Sequence, residues 1–336
     1  MFRSFFTGPR PRRILLSGSF LFLLIAVSLP ALPWGFWGHK QINRLAVLVI
    51  DDRVFAFFKK HIVFLTDHAT DADKRRYAVK GEAECHFIDL DRYGDSPFDS
   101  VPRRWDDAVT MFGEDSLRAH GILPWNLQWV KFRLTKAFRE HDLPAILKHA
   151  ADMGHYIGDA HVPLHCTRNY NGQLTGQHGI HGLWESRIPE LLGGNWDYLG
   201  GNCRYIDDPL DNVWKILKES YAAHDSVLRF EKELTARFPP DRKYAIEIKG
   251  NTTVKVYSRE FTRAYDEMMT GMVERRMKAA ITAVASWWFT AWVDAGQPDL
   301  GSYTNESLSD SLQKLLTEEG AVWSSGKLDV RKHDDH

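Results

Sequence analysis

The sequence predicts an all-α protein with a single multi-helix domain, and three observations carry that prediction. Apolar residues recur at helical spacing in several long segments, whereas runs that alternate apolar and polar residues are few. No repeat of fixed period and no linker divides the chain. With 336 residues, 44% of them hydrophobic, the chain is long enough to bury a substantial core. We place the domain at 34–300, between a signal segment at 1–33 and a polar C-terminal tail at 301–336.

The amino terminus has the pattern of a secretory signal peptide. Basic residues at 10, 12 and 13 precede the apolar run Ile14–Leu29, which is 16 residues long. A bilayer span needs about 20 residues, so this run suits the apolar part of a signal peptide better than a membrane anchor. Small residues at 26–28 resemble a cleavage site. We therefore expect an exported protein, secreted or periplasmic, with an uncleaved membrane anchor as the alternative.

Periodicity and capping residues define the predicted helices. Apolar residues between Ile42 and Val49 fall on one helical face, and a proline opens the segment 124–140. Asp142 followed by Pro144 is typical of a helix start, and this helix should run to about Asp159. Further helices are expected around 181–192, 208–230 and 255–294. Three tryptophans near the end of the last one, at 287, 288 and 292, form a stripe that we interpret as core.

Charge and cysteine content weigh against some classes of function, without excluding an enzyme that digests DNA. Removing the four arginines of the first 33 residues from the 43 basic residues leaves 39 against 44 acidic ones, a net charge of −5. A mildly acidic body does not attract nucleic acid or anionic membranes by its overall field. Three cysteines (Cys85, Cys166 and Cys203) are too few for a disulfide scaffold, and their spacing matches no cysteine-based zinc site.

The strongest chemical signal is a pair of His-carboxylate motifs. His155 and Asp159 are four residues apart at the end of a predicted helix, so their side chains lie one turn apart on the same face. His165 follows after a proline, and His181 with Glu185 repeats the same spacing. A single pair of this kind is usually either hydrogen-bonded in the core or exposed to solvent. Two pairs with a flanking His, among apolar neighbours, instead predict a buried metal site, because buried unpaired His and carboxylates are costly.

These motifs resemble the superfamily of zinc-dependent phospholipases C and fungal-type single-strand-specific nucleases, from Trp34 to about residue 296. In that family the mature chain starts with a tryptophan whose amine and carbonyl bind zinc, followed closely by a His; Trp34 and His39 match the nuclease version. The family also uses an Asp about fifteen residues before a His-Phe motif. His86 supplies that His and Asp71 that Asp, with Asp73 as its rival.

The resemblance implies up to three zinc ions per chain and at least two. Asp71, His86, His155 and Asp159 would hold the first ion, and His165, His181 and Glu185 the second. Trp34, His39 and the second oxygen of Asp159 would hold the third. A signal-peptide cut directly before Trp34 would leave Pro33 at the scissile position, so either a second trimming step exposes the amine or the amine is not a ligand. His161 and His178 are interpreted as non-ligands, and no other cofactor is expected.

The implied activity is hydrolysis of phosphate esters by zinc-bound hydroxide, with Asp71 as the catalytic residue that orients the water or accepts its proton. Glu185, where fungal nucleases carry Asp, favours a phospholipase C-like enzyme. The spacing from Trp34 to His39 favours a nuclease, so the substrate is a phospholipid head group or single-stranded nucleic acid. An alternative from another functional class is a secreted zinc-binding protein without catalytic activity. Nothing in the sequence indicates an obligate protein partner, and we expect a monomer.

Overall fold

Helices make up most of the chain in the computed structural model, which describes residues 35–198, 200–249 and 252–304. This confirms the all-α class, with one two-stranded antiparallel hairpin as the exception. The described residues belong to one compact unit, Leu32–His336. The signal segment at 1–33 and the tail from 305 onward lie outside the described residues. No helix within the described ranges has both the length and the apolar character that a bilayer span requires.

Fourteen α-helices and one hairpin are formed by the described residues. Helices in the amino-terminal half are α1 Gly35–Val49, α2 Asp52–Lys60, α3 Ile62–Asp67, α4 Asp71–Arg75, α5 Pro97–Ser100, α6 Trp105–Phe112, α7 Glu114–Ala119, α8 Leu123–Arg139 and α9 Leu143–Ala160. Those that follow are α10 Ile180–Gly182, α11 Ile188–Leu192, α12 Pro209–Arg237, α13 Arg259–Met268 and α14 Met272–Asp294. Strands β1 Tyr244–Lys249 and β2 Thr252–Tyr257 form the hairpin, and Leu183–Arg187 is a π-helical stretch between α10 and α11.

Helix α9 is the central element. Asp142 caps it by accepting a hydrogen bond from the Ala145 N–H at 3.1 Å, and Pro144 occupies its first turn, as the sequence predicts. Every residue from 150 to 160 is buried, because α9 packs against α1, α8 and α14 on different sides. A helix enclosed in this way holds its side chains in fixed positions, and two of them are His155 and Asp159.

Helix α1 approaches α9 closely at two glycines. A Cβ atom added at Gly154 would lie 1.8 Å from Asn43 Oδ1, and one added at Gly158 would lie 2.7 Å from His39 Nδ1. Glycine is therefore required at both positions for the two helices to meet. The crossing brings His39 of α1 against the same turn of α9 that carries Asp159.

The tryptophan stripe of α14 is core, as predicted. Trp288 is buried, stacks on Phe58 with ring centroids 4.9 Å apart and donates its indole N–H to the Ala150 carbonyl at 2.9 Å. Trp287 and Trp292 are buried beside it and also donate their indole N–H groups. Trp288 therefore holds α14 against α9, so the carboxy-terminal helix supports the element that carries the site.

Two predicted features differ in the structure. The segment 255–294 is not one helix: α13 and α14 are separated by a turn in which Thr270 and Gly271 adopt φ values of 51° and 71°. An α-helix cannot continue through such angles, and glycine makes them accessible. The hairpin at 244–257 was not predicted, although the β-branched residues of Thr252–Tyr257 were an available signal.

Candidate metal centre

The centre is built around the last turns of α9. His155 and Asp159 are completely or almost completely buried, with exposed fractions of 0% and 1%. Their side chains lie on the same face, and His155 Nε2 is 3.3 Å from Asp159 Oδ2. Segments from several other parts of the chain bring further His and carboxylate groups to this face. Three groups of buried residues result, two of which share His155, and each of them could hold a metal ion.

The first group contains Asp73, His86 and His155, and one oxygen of Asp159 adjoins it. Asp73 Oδ1 is 3.7 Å from His86 Nδ1 and 3.6 Å from His155 Nε2, and the two ring nitrogens are 3.0 Å apart. Asp159 Oδ2 is 2.9 Å from His86 Nδ1. Ligand atoms at the corners of a tetrahedron with metal bonds of about 2.0–2.1 Å lie about 3.3 Å apart. The four atoms therefore have spacings suited to one tetrahedral ion.

The second group consists of His165, His181 and Glu185. Glu185 Oε2 is 2.6 Å from His181 Nε2 and 3.4 Å from His165 Nε2. The turn Pro163–Cys166 at the end of α9 presents His165, while the short helix α10 and the π-helical stretch after it present the other two. The remaining oxygen of Asp159, Oδ1, is 3.9 Å from His165 Nε2. His165, His181 and Glu185 are the residues that the sequence resemblance implies for the second site, and the proximity of Asp159 to them was not part of that expectation.

His39 belongs to a third group with His155 and Asp159. Its Nε2 is 3.4 Å from Asp159 Oδ1 and 3.6 Å from Glu185 Oε1, and its ring stacks on that of His155 at 4.0 Å. Trp34, the other ligand implied for this position, lies outside the described residues. The contact between His39 and Glu185 was not predicted, and it means that Glu185, like Asp159, faces two groups with its two oxygens.

Hydrogen bonds to backbone carbonyls orient three of the rings. The Nδ1 atoms of His155, His165 and His181 lie 3.0, 2.6 and 3.1 Å from the carbonyl oxygens of Ala69, His86 and Tyr170. A carbonyl only accepts, so each Nδ1 carries the proton and donates it. In neutral imidazole the second nitrogen then has a lone pair, and in all three residues this is the Nε2 that faces the carboxylates. Such fixed tautomers are typical of metal-binding histidines.

His86 has the opposite orientation, and Glu82 explains it. Nδ1 of His86 faces the centre, while its Nε2 faces Glu82 Oε1 at 3.7 Å. Glu82 in turn accepts hydrogen bonds from the Tyr156 hydroxyl and from Arg75 Nη2, the latter at 3.2 Å. A carboxylate behind the distal nitrogen favours the tautomer whose Nδ1 lone pair points inward. Sequence reasoning missed Glu82, although its position four residues before His86 was an available signal.

Ionised carboxylates and histidines determine the electrostatics of the centre. Burial alone would raise the pKa of Asp159 and Glu185, but the surrounding histidines hold the pKa of both carboxyls well below the usual range. The pKa of Asp73 is lowered in the same way, despite burial, by His155, His86 and Arg76. Conversely, burial lowers the pKa of His155, but Asp159 and Asp73 outweigh it and raise that pKa well above its ordinary value. Three ionised carboxylates in one buried place favour bound cations.

Asp71 does not join these groups, and Asp73 stands where Asp71 was expected. Asp71 Oδ2 lies 2.5 Å from His68 Nδ1, and its Oδ1 accepts a hydrogen bond from Lys74 Nζ at 2.7 Å. Both residues are on α4, where successive side chains are about 100° apart, so positions two apart point to nearly opposite sides. Only one of them faces the centre, and the structure shows that it is Asp73.

His161 lies close to the motif but is not a member of the three groups. Its Nδ1 donates to the Ile157 carbonyl at 2.7 Å, and burial together with the neighbouring Arg276 lowers its pKa to about 3. Arg276 donates a hydrogen bond to the His161 carbonyl at 3.0 Å. The neutral ring is thus held beside a buried cation, which does not favour a second cation there.

Comparison with known protein families gives no matching family model, and a search of curated proteins gives no significant match. The residues and their geometry are therefore the basis for any functional conclusion. Imidazole and carboxylate donors suit zinc and several other divalent transition metals. The described residues could hold a metal ion of this kind.

Proposed function

We propose that the protein is a zinc-dependent hydrolase of phosphate esters that resembles phospholipase C. The observation that carries the proposal is the position of Asp159, whose two oxygens face different groups of buried histidines. A shared carboxylate between neighbouring ions is a feature of centres that hydrolyse phosphate esters with two metals. The sequence motifs that resemble the zinc phospholipase C and nuclease superfamily support the same assignment.

The donor set fits zinc on chemical grounds. Each group offers two imidazole nitrogens together with a carboxylate oxygen, which zinc accepts in tetrahedral arrangement. Magnesium and calcium prefer oxygen ligands, so the imidazoles argue against them. Bound zinc would lower the pKa of water towards ~7 and neutralise phosphate charge.

The protein's own residues would orient and hold protons around the reaction. Asp73 lies within 3.7 Å of both His86 and His155 in the first group, and we propose that it takes the water-orienting role expected for Asp71. Glu82 keeps the His86 ring in one tautomer. Lys74, which is partly exposed and pairs with Asp71, offers a cation that can bind a phosphate oxygen.

A phospholipid head group is the preferred substrate because of Glu185. Its longer side chain lets one carboxylate contact His39 with Oε1 and His181 with Oε2. Glu at this position is the feature that resembles the phospholipase branch. Single-stranded nucleic acid is the second candidate, which the five-residue spacing from Trp34 to His39 favours.

A substrate panel tests the proposal. Purified protein would be assayed on phosphatidylcholine, single-stranded DNA, RNA and bis-(p-nitrophenyl) phosphate, before and after chelation and after zinc is added back. We expect chelation to abolish hydrolysis of phosphatidylcholine and of the model diester, and zinc to restore both. Restored cleavage of nucleic acid alone would make the protein a nuclease. Bound zinc with no hydrolysis of any substrate would contradict an enzymatic function.

A further inference from the structure

The hairpin β1–β2 presents an apolar face to solvent. Register pairs Ile246 with Lys255 and Ile248 with Thr253, and these four side chains share one face of the two strands. Ile246 is 68% exposed and Ile248 is 80% exposed. On the opposite face Ala245, Glu247 and Val254 are half-buried. A surface hairpin usually has polar side chains on its exposed face, so two exposed isoleucines there are unusual.

Exposed isoleucines on an edge hairpin are a liability for an isolated protein, because such strands promote aggregation. The fold does not need them there, since the base of the hairpin is already attached to the body by other residues. Buried Tyr257 lies in the second hydrophobic cluster with Phe261 and Trp184. The outward face therefore suits a partner that accepts apolar side chains.

The charges on the face indicate the kind of partner. Lys255 is exposed beside Ile246, and its Nζ lies 4.1 Å from the centroid of the Tyr244 ring. Among the described residues of the two strands the acid is Glu247, which lies on the other face and forms an ion pair with Arg187. Aliphatic side chains flanked by Lys and Tyr suit the boundary of a phospholipid bilayer, where apolar groups enter the acyl layer and cations contact phosphate.

The hairpin is attached to the segment that carries two of the proposed metal ligands. Arg187 follows Glu185 in the π-helical stretch, donates from Nε to the Tyr257 carbonyl at 3.0 Å and pairs with Glu247 through its guanidinium. The Tyr257 hydroxyl donates to the His178 carbonyl at 3.4 Å, three residues before His181. A partner bound to the hairpin would thus lie next to the segment that contains His181 and Glu185.

We infer that the Ile246–Ile248 face of the hairpin docks the protein on a phospholipid bilayer. The inference rests on the proposed phospholipid substrate, which the protein would meet as part of a bilayer surface. Docking itself needs no catalysis, because insertion of the isoleucines and contact of Lys255 with headgroup phosphate depend on the hairpin alone.

Vesicle flotation tests the inference with the full zinc-loaded protein, in the cold, on vesicles of phosphatidylcholine and phosphatidylglycerol. The test variant is Ile246→Ser with Ile248→Ser, and Phe132→Ser is the matched control, because Phe132 is 67% exposed on α8. We expect the double variant to lose about tenfold or more of the vesicle-bound fraction. Lys255→Gln should lose less, and the control should bind like the wild type.

Parallel measurements separate docking from catalysis. Hydrolysis of soluble bis-(p-nitrophenyl) phosphate should be equal in all variants, which also shows that they are folded. Equal flotation of wild type and double variant, or no flotation of the wild type, would overturn the docking role while leaving the proposed function intact. A wild type that is dimeric in solution and becomes monomeric in the double variant would assign the face to a second copy of the chain. Flotation that depends on the isoleucines without any hydrolysis would support docking and contradict the enzyme.

Discussion

At the scale of single residues, Asp159 makes the most varied contacts in the centre. Its Oδ2 approaches His86 and His155, and its Oδ1 approaches His39 and His165. The other carboxylates of the centre contact fewer histidine rings. Loss of Asp159 should therefore affect every group of ligands at once, whereas loss of a peripheral His should affect one.

We predict that Asp159→Asn is the most damaging single substitution. The amide keeps the shape but removes the negative charge that offsets the cations. Metal affinity and turnover should therefore both fall by more than about 100-fold, which exceeds the usual effect of changing a residue that only contacts a metal ligand. Zinc stoichiometry and hydrolysis of the model diester check this. His181→Ala and His39→Ala are the comparisons, since they should remove mainly the second and third ions. Wild-type zinc content and rate in Asp159→Asn, with both lost in His161→Ala, would assign the ligand to His161.

Asp73 and Asp71 offer a matched pair. Asp73→Asn should remove one zinc ion per chain and lower turnover about 100-fold, because Asp73 lies within 3.7 Å of both His86 and His155. Asp71→Asn should keep the metal content and stay within a few-fold of wild-type turnover, because its partners are His68 and Lys74. Zinc stoichiometry and hydrolysis of the model diester distinguish the two variants. The opposite pattern would assign Asp71, and not Asp73, as the metal ligand.

The residues that sequence reasoning found are those with local patterns. Spacing alone identified His155, Asp159 and the His181–Glu185 pair, and the resemblance added His39 and His86. The choice between Asp71 and Asp73 depends on which way a five-residue helix is turned, and no local signal gives that angle. Glu82 acts through contacts with Tyr156 and Arg75 that come from distant parts of the fold.

At the scale of elements, the helices with a clear apolar stripe were predicted closely. Helix α9 begins at its predicted cap, and α8 lies within a residue of its predicted bounds. The segment 255–294 was predicted as continuous because its apolar positions persist across the turn at Thr270 and Gly271. Backbone angles there are set by the packing of α13 and α14 against the second core cluster, which periodicity does not report.

Helix α13 carries an acid whose environment opposes its charge. Asp266 is partly buried near Glu274 and Glu267, and one of its oxygens has no hydrogen-bond partner within the described structure. Burial, Glu274 and Glu267 outweigh Arg275 and raise its pKa from 3.8 to about 6. The folded state therefore binds more protons than the unfolded state between these two values. Stability must fall as pH rises through this window.

Asp266→Asn should consequently raise the melting temperature at pH values above about 6 and have little effect near pH 4. Thermal unfolding followed by circular dichroism at the two pH values measures the difference. Asp225→Asn removes the same charge from a side chain that is 88% exposed and serves as the control. A variant that is less stable than wild type above pH 6 would show that the charged form is favoured by the fold.

At the scale of the whole molecule, the proposed ions would join segments that are distant in sequence. The groups draw on α1, α4, the turn Ala83–His86, α9 and its following turn, and the stretch from α10 to Arg187. Ions that bind only the folded state stabilise it by mass action, by about 2.7 kcal/mol for each site at a free concentration of 100 times Kd.

We therefore expect the purified mature protein to contain two to three zinc ions and to lose thermal stability or helicity when they are chelated. Elemental analysis gives the stoichiometry, and melting curves before and after chelation give the change in stability. Less than one zinc ion per chain after refolding with excess zinc would refute the cluster. A melting temperature unaffected by chelation would show that the described core folds without the ions.

The contact between α1 and α9 also limits the substitutions that helix α9 can tolerate. In α9, His155 directly follows Gly154 and Asp159 directly follows Gly158. Neither glycine position leaves room for a side chain. The surrounding residues of that helix are packed on every side. Random substitution across residues 150–160 should thus return almost no functional variants. New substrate preferences would have to arise in the loops and the hairpin, while this helix stays nearly unchanged.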